Sequence, residues 1–318
     1  MNVISKLMIA GLAIISFSCS NENGSTTTSK TTVATTLATT PKKFLFDATK
    51  AETAGNADWV LDADSSPQRF PTPAQSNITA STTESFWRGG LSSWGIALAK
   101  LGHTVETLPS GTAITYGGTG AQDLKNYDVF VVDEPNTRFT AAEKTAILNF
   151  VKNGGGLFMI SDHTVSDRNN DGWDSPAIWN DLMSTNSVQT NPFGITITLN
   201  NISETTSNRL STTTNPILNG SQGTVTQLKY SNGATMSINT TANATAQGLI
   251  WRGSSSQGTS NIMCATATFG TGRVVVIGDS SPADDGTGAT GDTLYPGWTE
   301  LASHSRLHLN ASLWLAKL

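Results

Sequence analysis

The chain has 318 residues, a formal net charge of −5 and only 14% charged side chains, so its polar character rests on Ser, Thr, Asn and Gly. That balance leaves no basic patch, and no nucleic-acid partner is expected. With two cysteines, one of them near the N-terminus, there is no disulfide framework to build on.

Residues 1–19 carry Lys6, the apolar run Leu7–Phe17 and then Ser18-Cys19. This reads as a signal peptide too short in its apolar core to be a stable transmembrane span. A cysteine at the cleavage point points to a bacterial lipoprotein lipidated at Cys19, with ordinary secretion as the alternative. The membrane is then a partner only through that anchor, and the expected location is the cell envelope, on an outer membrane facing periplasm or medium. Residues 20–40 form a Ser/Thr-rich tether without periodicity. Residues 41–318 suit a single α/β domain.

Within that domain Lys43–Asp47 reads as a first strand ending on an acid, followed by a long polar loop to Pro73 that holds Glu52, Asp58, Trp59, Asp62 and Asp64. Loops of this length in compact domains are often functional. Helical spacing of Trp87, Leu91, Trp94, Leu98 and Leu101 predicts a helix over 83–101, stopped by Gly102. His103–Leu108 is a second strand, and Val129–Val132 a third whose continuous apolar run suits the interior of a parallel sheet. It ends on Asp133-Glu134. Thr140 and Glu143 form a capping box opening a helix to about Lys152, and Gly154–Gly156 turns the chain into the strand Leu157–Ile160. The order strand, helix, strand, strand, helix, strand predicts a doubly wound, mostly parallel sheet.

That strand leads into Ser161–Pro176, the densest polar stretch of the chain: four aspartates, one histidine and two asparagines between Asp162 and Asp174. A helix opening with Pro176 in its first turn follows. From 185 to 260 the sequence is Thr/Ser/Asn-rich with short β-like runs, expected as an antiparallel extension of the same domain. Met263–Phe269 and Arg273–Ile277 then form a hairpin-like pair, the second strand ending at Gly278-Asp279. A helix over about 300–316 closes the chain. Cys264, inside a strand-like run, reads as a small buried thiol.

Several of these pieces together carry a resemblance: Phe46-Asp47, Tyr127–Val132, Phe150–Leu157, Asn215–Gly220, Phe269–Val275 with Gly278-Asp279, and Asn310–Leu315. They resemble the class I glutamine amidotransferase-like superfamily, in the branch of trehalose-utilisation-type and transporter-associated domains, across roughly residues 43–317. The resemblance implies a flavodoxin-like three-layer fold. It also implies a nucleophilic cysteine at the turn after the central strand, where this chain has Asp162-His163, so thiol-dependent glutamine hydrolysis is not supported. Some branches of that superfamily are non-catalytic.

Ligands of open parallel sheets sit outside the carboxyl ends of the strands. The predicted strands end at Asp47, Asp133-Glu134, Asp162-His163 and Asp279, and like charges gathered there call for a cation or raised pKa values. Asp162, His163 and Glu134 are the catalytic candidates, with Asp162 or His163 as general base. Asp47, Asp133 and Asp279 are candidate ligands of a divalent metal, zinc or manganese. The Asp-x-Asn-x-Asp-Gly spacing of Asp167, Asn169 and Asp171, with Asp174 to follow, matches the start of a calcium loop but lacks a glutamate at its twelfth position, Ile178. The competing reading is an Asx-rich turn with Asp174 as a helix cap. His304 and His308, spaced i, i+4, fall on one helix face and are further ligand candidates. Asp284 and Asp285 suit either a second ligand set or a solvated lid. Trp59, Trp173 and Trp298 lie in polar loops, where aromatic rings either bind sugars or pin the loop by packing. Ser161, Ser280 and Ser281 lack a nucleophile elbow.

The leading expectation is a metal-dependent hydrolase of an extracytoplasmic small molecule or glycan. The alternatives are a calcium-ordered glycan-binding lipoprotein and an envelope scaffold.

Overall fold

The computed structural model describes residues 40–63, 75–292 and 294–318. The signal peptide, Cys19, all but the last residue of the tether, and Asp64 lie outside the described residues. The strands are β1 (Lys43–Asp47), β2 (Thr104–Leu108), β3 (Val129–Asp133), β4 (Gly156–Ile160), β5 (Ile195–Ile197), β6 (Ile202–Thr206), β7 (Asn219–Gly220), β8 (Gly223–Thr224), β9 (Leu228–Gly233), β10 (Met236–Ile238), β11 (Gln247–Trp251), β12 (Ile262–Phe269) and β13 (Gly272–Ile277). The helices are α1 (Ser92–Lys100), α2 (Ala141–Lys152), α3 (Ser175–Ser184), the single-turn α4 (Gly297–Glu300) and α5 (Ala302–Leu315).

The main sheet runs β2-β1-β3-β4-β13-β12-β10-β5, with β11 also paired to β12. The first five are parallel to one another, and β13 pairs antiparallel with β12. This is the expected α/β architecture, a mostly parallel sheet with an antiparallel extension. Strand alternation splits the core into two layers: Phe44, Phe46, Val131, Phe158 and Val275 face α1 and α5, whereas Leu45, Phe130, Val132, Met159 and Val276 face α2 and α3. Sheet strands covered on both faces need apolar side chains at every position, which is why these strands read as continuous apolar runs. Each fully buried large side chain contributes roughly 1.5–3 kcal/mol.

Local signals act as their chemistry dictates. Thr140 and Glu143 form the reciprocal capping box of α2, and Asp174 caps α3 by accepting from Ala177 N at 2.9 Å. Gly270, at φ +59°, turns β12 into β13 where an added Cβ would meet Lys152 O at 2.1 Å. One helix differs from expectation. α1 begins at Ser92, not at 83, because the preceding backbone is taken by the loop after β1: Gly90 N donates to Asp58 O and Leu91 N to Val60 O. Trp87 keeps its place in the core without being helical. Residues Thr39–Leu318 form one compact unit, and no helix among the described residues is long and apolar enough to cross a membrane.

Candidate functional site

The parallel strands deliver their acids at one end. β1 closes on Asp47, β3 on Asp133 with Glu134 next, β4 is followed by Ser161-Asp162, and β13 by Gly278-Asp279. All five carboxyls are at most 3% exposed. Glu134 lies beyond the hydrogen-bonded part of β3 at φ +43°, a left-handed conformation that is uncommon for a residue with a side chain. Its N–H still donates to Ile160 O at 3.1 Å. The turn swings the Glu134 side chain across the end of β4.

Glu134 and Asp162 meet on one guanidinium. Arg168 donates through Nε to Glu134 Oε1, through Nη2 to Glu134 Oε2 at 3.2 Å, and through the same Nη2 to Asp162 Oδ2 at 3.1 Å. Ser280 Oγ adds a hydrogen bond to Glu134 Oε2 at 2.9 Å. Arg168 is itself steadied by Asn56 Oδ1, which accepts from Nη1 at 2.9 Å, and lies 5.8 Å from the centre of the Trp59 ring. Burial, then the neighbouring Glu134 and Asp279, pushes Asp162 well above the usual carboxylate range, with Arg168 opposing. Burial also raises Asp279, to about 7, although Ser281 N donates to its Oδ1 at 2.8 Å and Ser231 N to its Oδ2. Asp133 is raised by burial and by Glu134, Asp279 and Asp284, and among the described residues neither of its oxygens has a hydrogen-bond partner. Asp284 joins from the loop after β13, raised by burial to about 7. Half-buried Tyr295 lies over the group, its hydroxyl raised by burial and influenced by Arg168, Asp162, Asp279 and Asp284.

Other candidates stand apart. Asp47 turns to Thr49 N at 3.2 Å and to Glu52, with burial raising Asp47 to about 6 and Glu52 well above its ordinary value. The His163 ring turns to backbone, its Nδ1 facing Thr164 O at 2.6 Å, while its backbone N–H donates to Asp162 Oδ1 at 2.7 Å. His304 uses both nitrogens on backbone, Nδ1 toward Gly297 O and Nε2 accepting from Lys229 N at 3.0 Å. It lines a cavity of about 110 Å³ with Tyr295, Ser281 and Ser231, next to the Asp279 end of the group. His308 is a core residue among Trp94, Phe158 and Trp298, its pKa lowered by burial to about 3.

The Asp167–Asp174 stretch folds onto itself. Asp167 accepts from Asp171 N at 3.0 Å and Gly172 N at 2.8 Å, Asn169 Oδ1 from Asp171 N at 3.2 Å, and Asp171 Oδ1 from Trp173 N at 2.9 Å. Asp174 is occupied by the cap and by Val165 N and Thr164 Oγ1. These are Asx turns made by short polar side chains with their own backbone. Among the described residues, no three of His, Cys, Asp and Glu are arranged to hold a metal ion. Positive charge among the strand-end acids is supplied by Arg168. The loop tryptophans are pinned: Trp59 is buried, Trp173 lies under Arg138 at 3.9 Å, and Trp298 donates to Glu84 Oε2 at 3.1 Å. Cys264 is buried with its thiol pushed up to about 12.

Sequence reasoning did not single out Arg168 or Tyr295, and weighed Ser280 only as a nucleophile. The available signal was that Arg168 is the one Lys or Arg in a loop of four aspartates, beside strand ends that carry acids.

The sheet order and its two covered faces define a flavodoxin-like α/β protein. Similar solved structures include the mmIFT52 N-terminal domain (15% identity, TM-score 0.48, covering 86% of this chain and 97% of that one) and a cytoplasmic protein of Salmonella typhimurium (12%, 0.48, 86% and 98%). A ThuA-like protein from Bacteroides uniformis is also similar (12%, 0.44, 86% and 91%). No family model and no curated protein matches the sequence.

Proposed function

We propose that the chain is a hydrolase of an extracytoplasmic small molecule or glycan, held at the cell envelope through Cys19 and working from the crevice at the carboxyl ends of β3, β4 and β13. The observation that carries this reading is Glu134: buried, left-handed, and bound on both oxygens beside a second buried carboxyl, Asp162, on the same guanidinium. Strained residues at strand ends persist where the surroundings over-determine them, and such positions concentrate at active sites. Asp162 serves as the acid that protonates the leaving group, and Glu134, oriented by Arg168 and Ser280, as the base that takes a proton from water.

This reading uses Arg168, in place of the divalent metal expected from the sequence, as the positive charge among the acids. The acids nearest one another share Arg168, and within the group of described residues Asp133 alone offers two unpartnered oxygens.

One observation favours a second reading, a non-catalytic binding lipoprotein: Glu134 is fully buried, as a purely structural ion-pair network would be. Turnover of a panel of 4-nitrophenyl esters and glycosides separates the two. Glu134→Gln and Asp162→Asn should each lower kcat by roughly a hundredfold to ten-thousandfold. Turnover unchanged by both substitutions would overturn the hydrolase reading.

A further inference from the structure

A second cavity, of about 300 Å³, lies beside the loops that follow β1 and β2, and its lining includes none of Glu134, Asp162 and Arg168. Asp58 and Asp292 line one wall, while Ala48, Ala57, Val60 and Ala63 supply an apolar lining. The two carboxyls are neighbours: Ala289 N donates to Asp58 Oδ2 at 3.1 Å and to Asp292 Oδ2 at 2.8 Å. Asp58 is 3% exposed, and among the described residues its Oδ1 has no hydrogen-bond partner. Asp284, from the loop after β13, adds a third negative group to its surroundings. No Lys or Arg among the described residues lines this cavity.

We propose that this cavity binds a small primary ammonium compound, its charged head between Asp58 and Asp292 and a short hydrocarbon tail along Ala48, Ala57, Val60 and Ala63. Adjacent carboxyls are stable together only with a proton or a cation between them. Burial first, and Asp292 next, raises Asp58 to about 8, so a proton fills that role when no ligand is bound. An ammonium brings three N–H donors, enough for the free Asp58 Oδ1 and both carboxylates. The cavity's volume corresponds to roughly ten waters of ~30 Å³ each, which suits a compact ligand and not an oligomer. Small pockets of this kind combine apolar walls with a few polar groups that fix orientation.

The test is isothermal calorimetry and thermal melting on the full chain with n-butylammonium chloride, with 1-pentanol as the neutral match and calcium chloride as the competing cation. Butylammonium should bind in the millimolar range or tighter and raise the Tm. Asp58→Asn and Asp292→Asn should each weaken it by about tenfold or more, a loss of ~1.4 kcal/mol. Asp292 is itself half-buried, beside exposed loop residues, so its variant tests the site even if Asp58→Asn disturbs folding. Ala63→Leu, filling the apolar end, should weaken butylammonium but spare methylammonium. Equal binding of 1-pentanol, binding indifferent to both aspartate substitutions, a calcium shift matching the amine's, or no binding at millimolar butylammonium would each overturn the proposal. Glu134→Gln should leave the amine affinity unchanged, so this site and the proposed hydrolytic one fail independently.

Discussion

The strand-end crevice and the Asp167–Asp174 loop have similar compositions and opposite physics. Both are rich in acids, and they are joined through Arg168, which belongs to the loop in sequence and to the crevice in space. In the loop every aspartate accepts from a nearby backbone N–H, and several of its residues are exposed. At the strand ends the carboxyls are buried, burial raises those of Asp133, Asp162 and Asp279, and Asp133 is left without a partner among the described residues. Acid density alone does not mark a site. Burial without enough partners does, because a desolvated carboxyl costs several kcal/mol unless it is paired or protonated.

The sharpest way to break this comparison is to remove the shared cation. Arg168→Met should destabilise the fold by about 3–5 kcal/mol, since it leaves Glu134 and Asp162 buried and facing each other. Urea unfolding at pH 7 measures it. A loss below ~1 kcal/mol would mean that the pairing behaves as an exposed surface bridge. Combining Arg168→Met with Glu134→Gln and Asp162→Asn should recover most of the loss, because no charge is then stranded.

A smaller effect separates the regions by pH. Asp58, Asp279 and Asp284 have folded-state values near 8, 7 and 7, all raised chiefly by burial above the unfolded carboxylate value. The folded state therefore binds more protons than the unfolded one. Stability from these groups is complete below the unfolded pKa and is lost as pH rises through 7 to 8. His308, lowered by burial, works the other way but only below its unfolded value of about 6.5. Between roughly pH 6.5 and 8.5 the Tm should therefore fall as pH rises. Asp58→Asn should flatten that slope. A Tm that climbs across this window would contradict the burial-driven shifts.

Much of the fold was legible because its signals are local. Val129–Val132 and Leu157–Ile160 are apolar at every position, as strands covered on both faces must be, and acids follow them at the strand ends. The capping box at Thr140, the stop at Gly102 and the β12–β13 turn are likewise written in a few adjacent residues. What was not legible depends on reach across the chain. The helical spacing of Trp87 and Leu91 extends into backbone that pairs with the β1 loop, so α1 starts later than its periodicity indicates. His304 and His308 do share a face, but that face is turned inward, toward packing and backbone partners. Arg168 sits in the loop that resembles a calcium site, and nothing in its neighbours' identities says that its side chain crosses to β3.

The smallest effects test the loop itself. Asp174→Ala removes the α3 cap and two further hydrogen bonds, and should cost about 1–2 kcal/mol. Asp171→Ala, which loses turn contacts at an exposed position, should cost no more than about 0.5 kcal/mol. Adding calcium should leave the Tm of both variants and of the parent chain unchanged, because the oxygens an ion would need already serve the turn. If calcium instead raises the parent's Tm and Asp171→Ala abolishes the rise, the loop reorganises around an ion. Asp167, Asn169, Asp171 and Asp174 would then return as ligands, and the contrast between satisfied loop and unsatisfied crevice would give way to two cation-seeking regions.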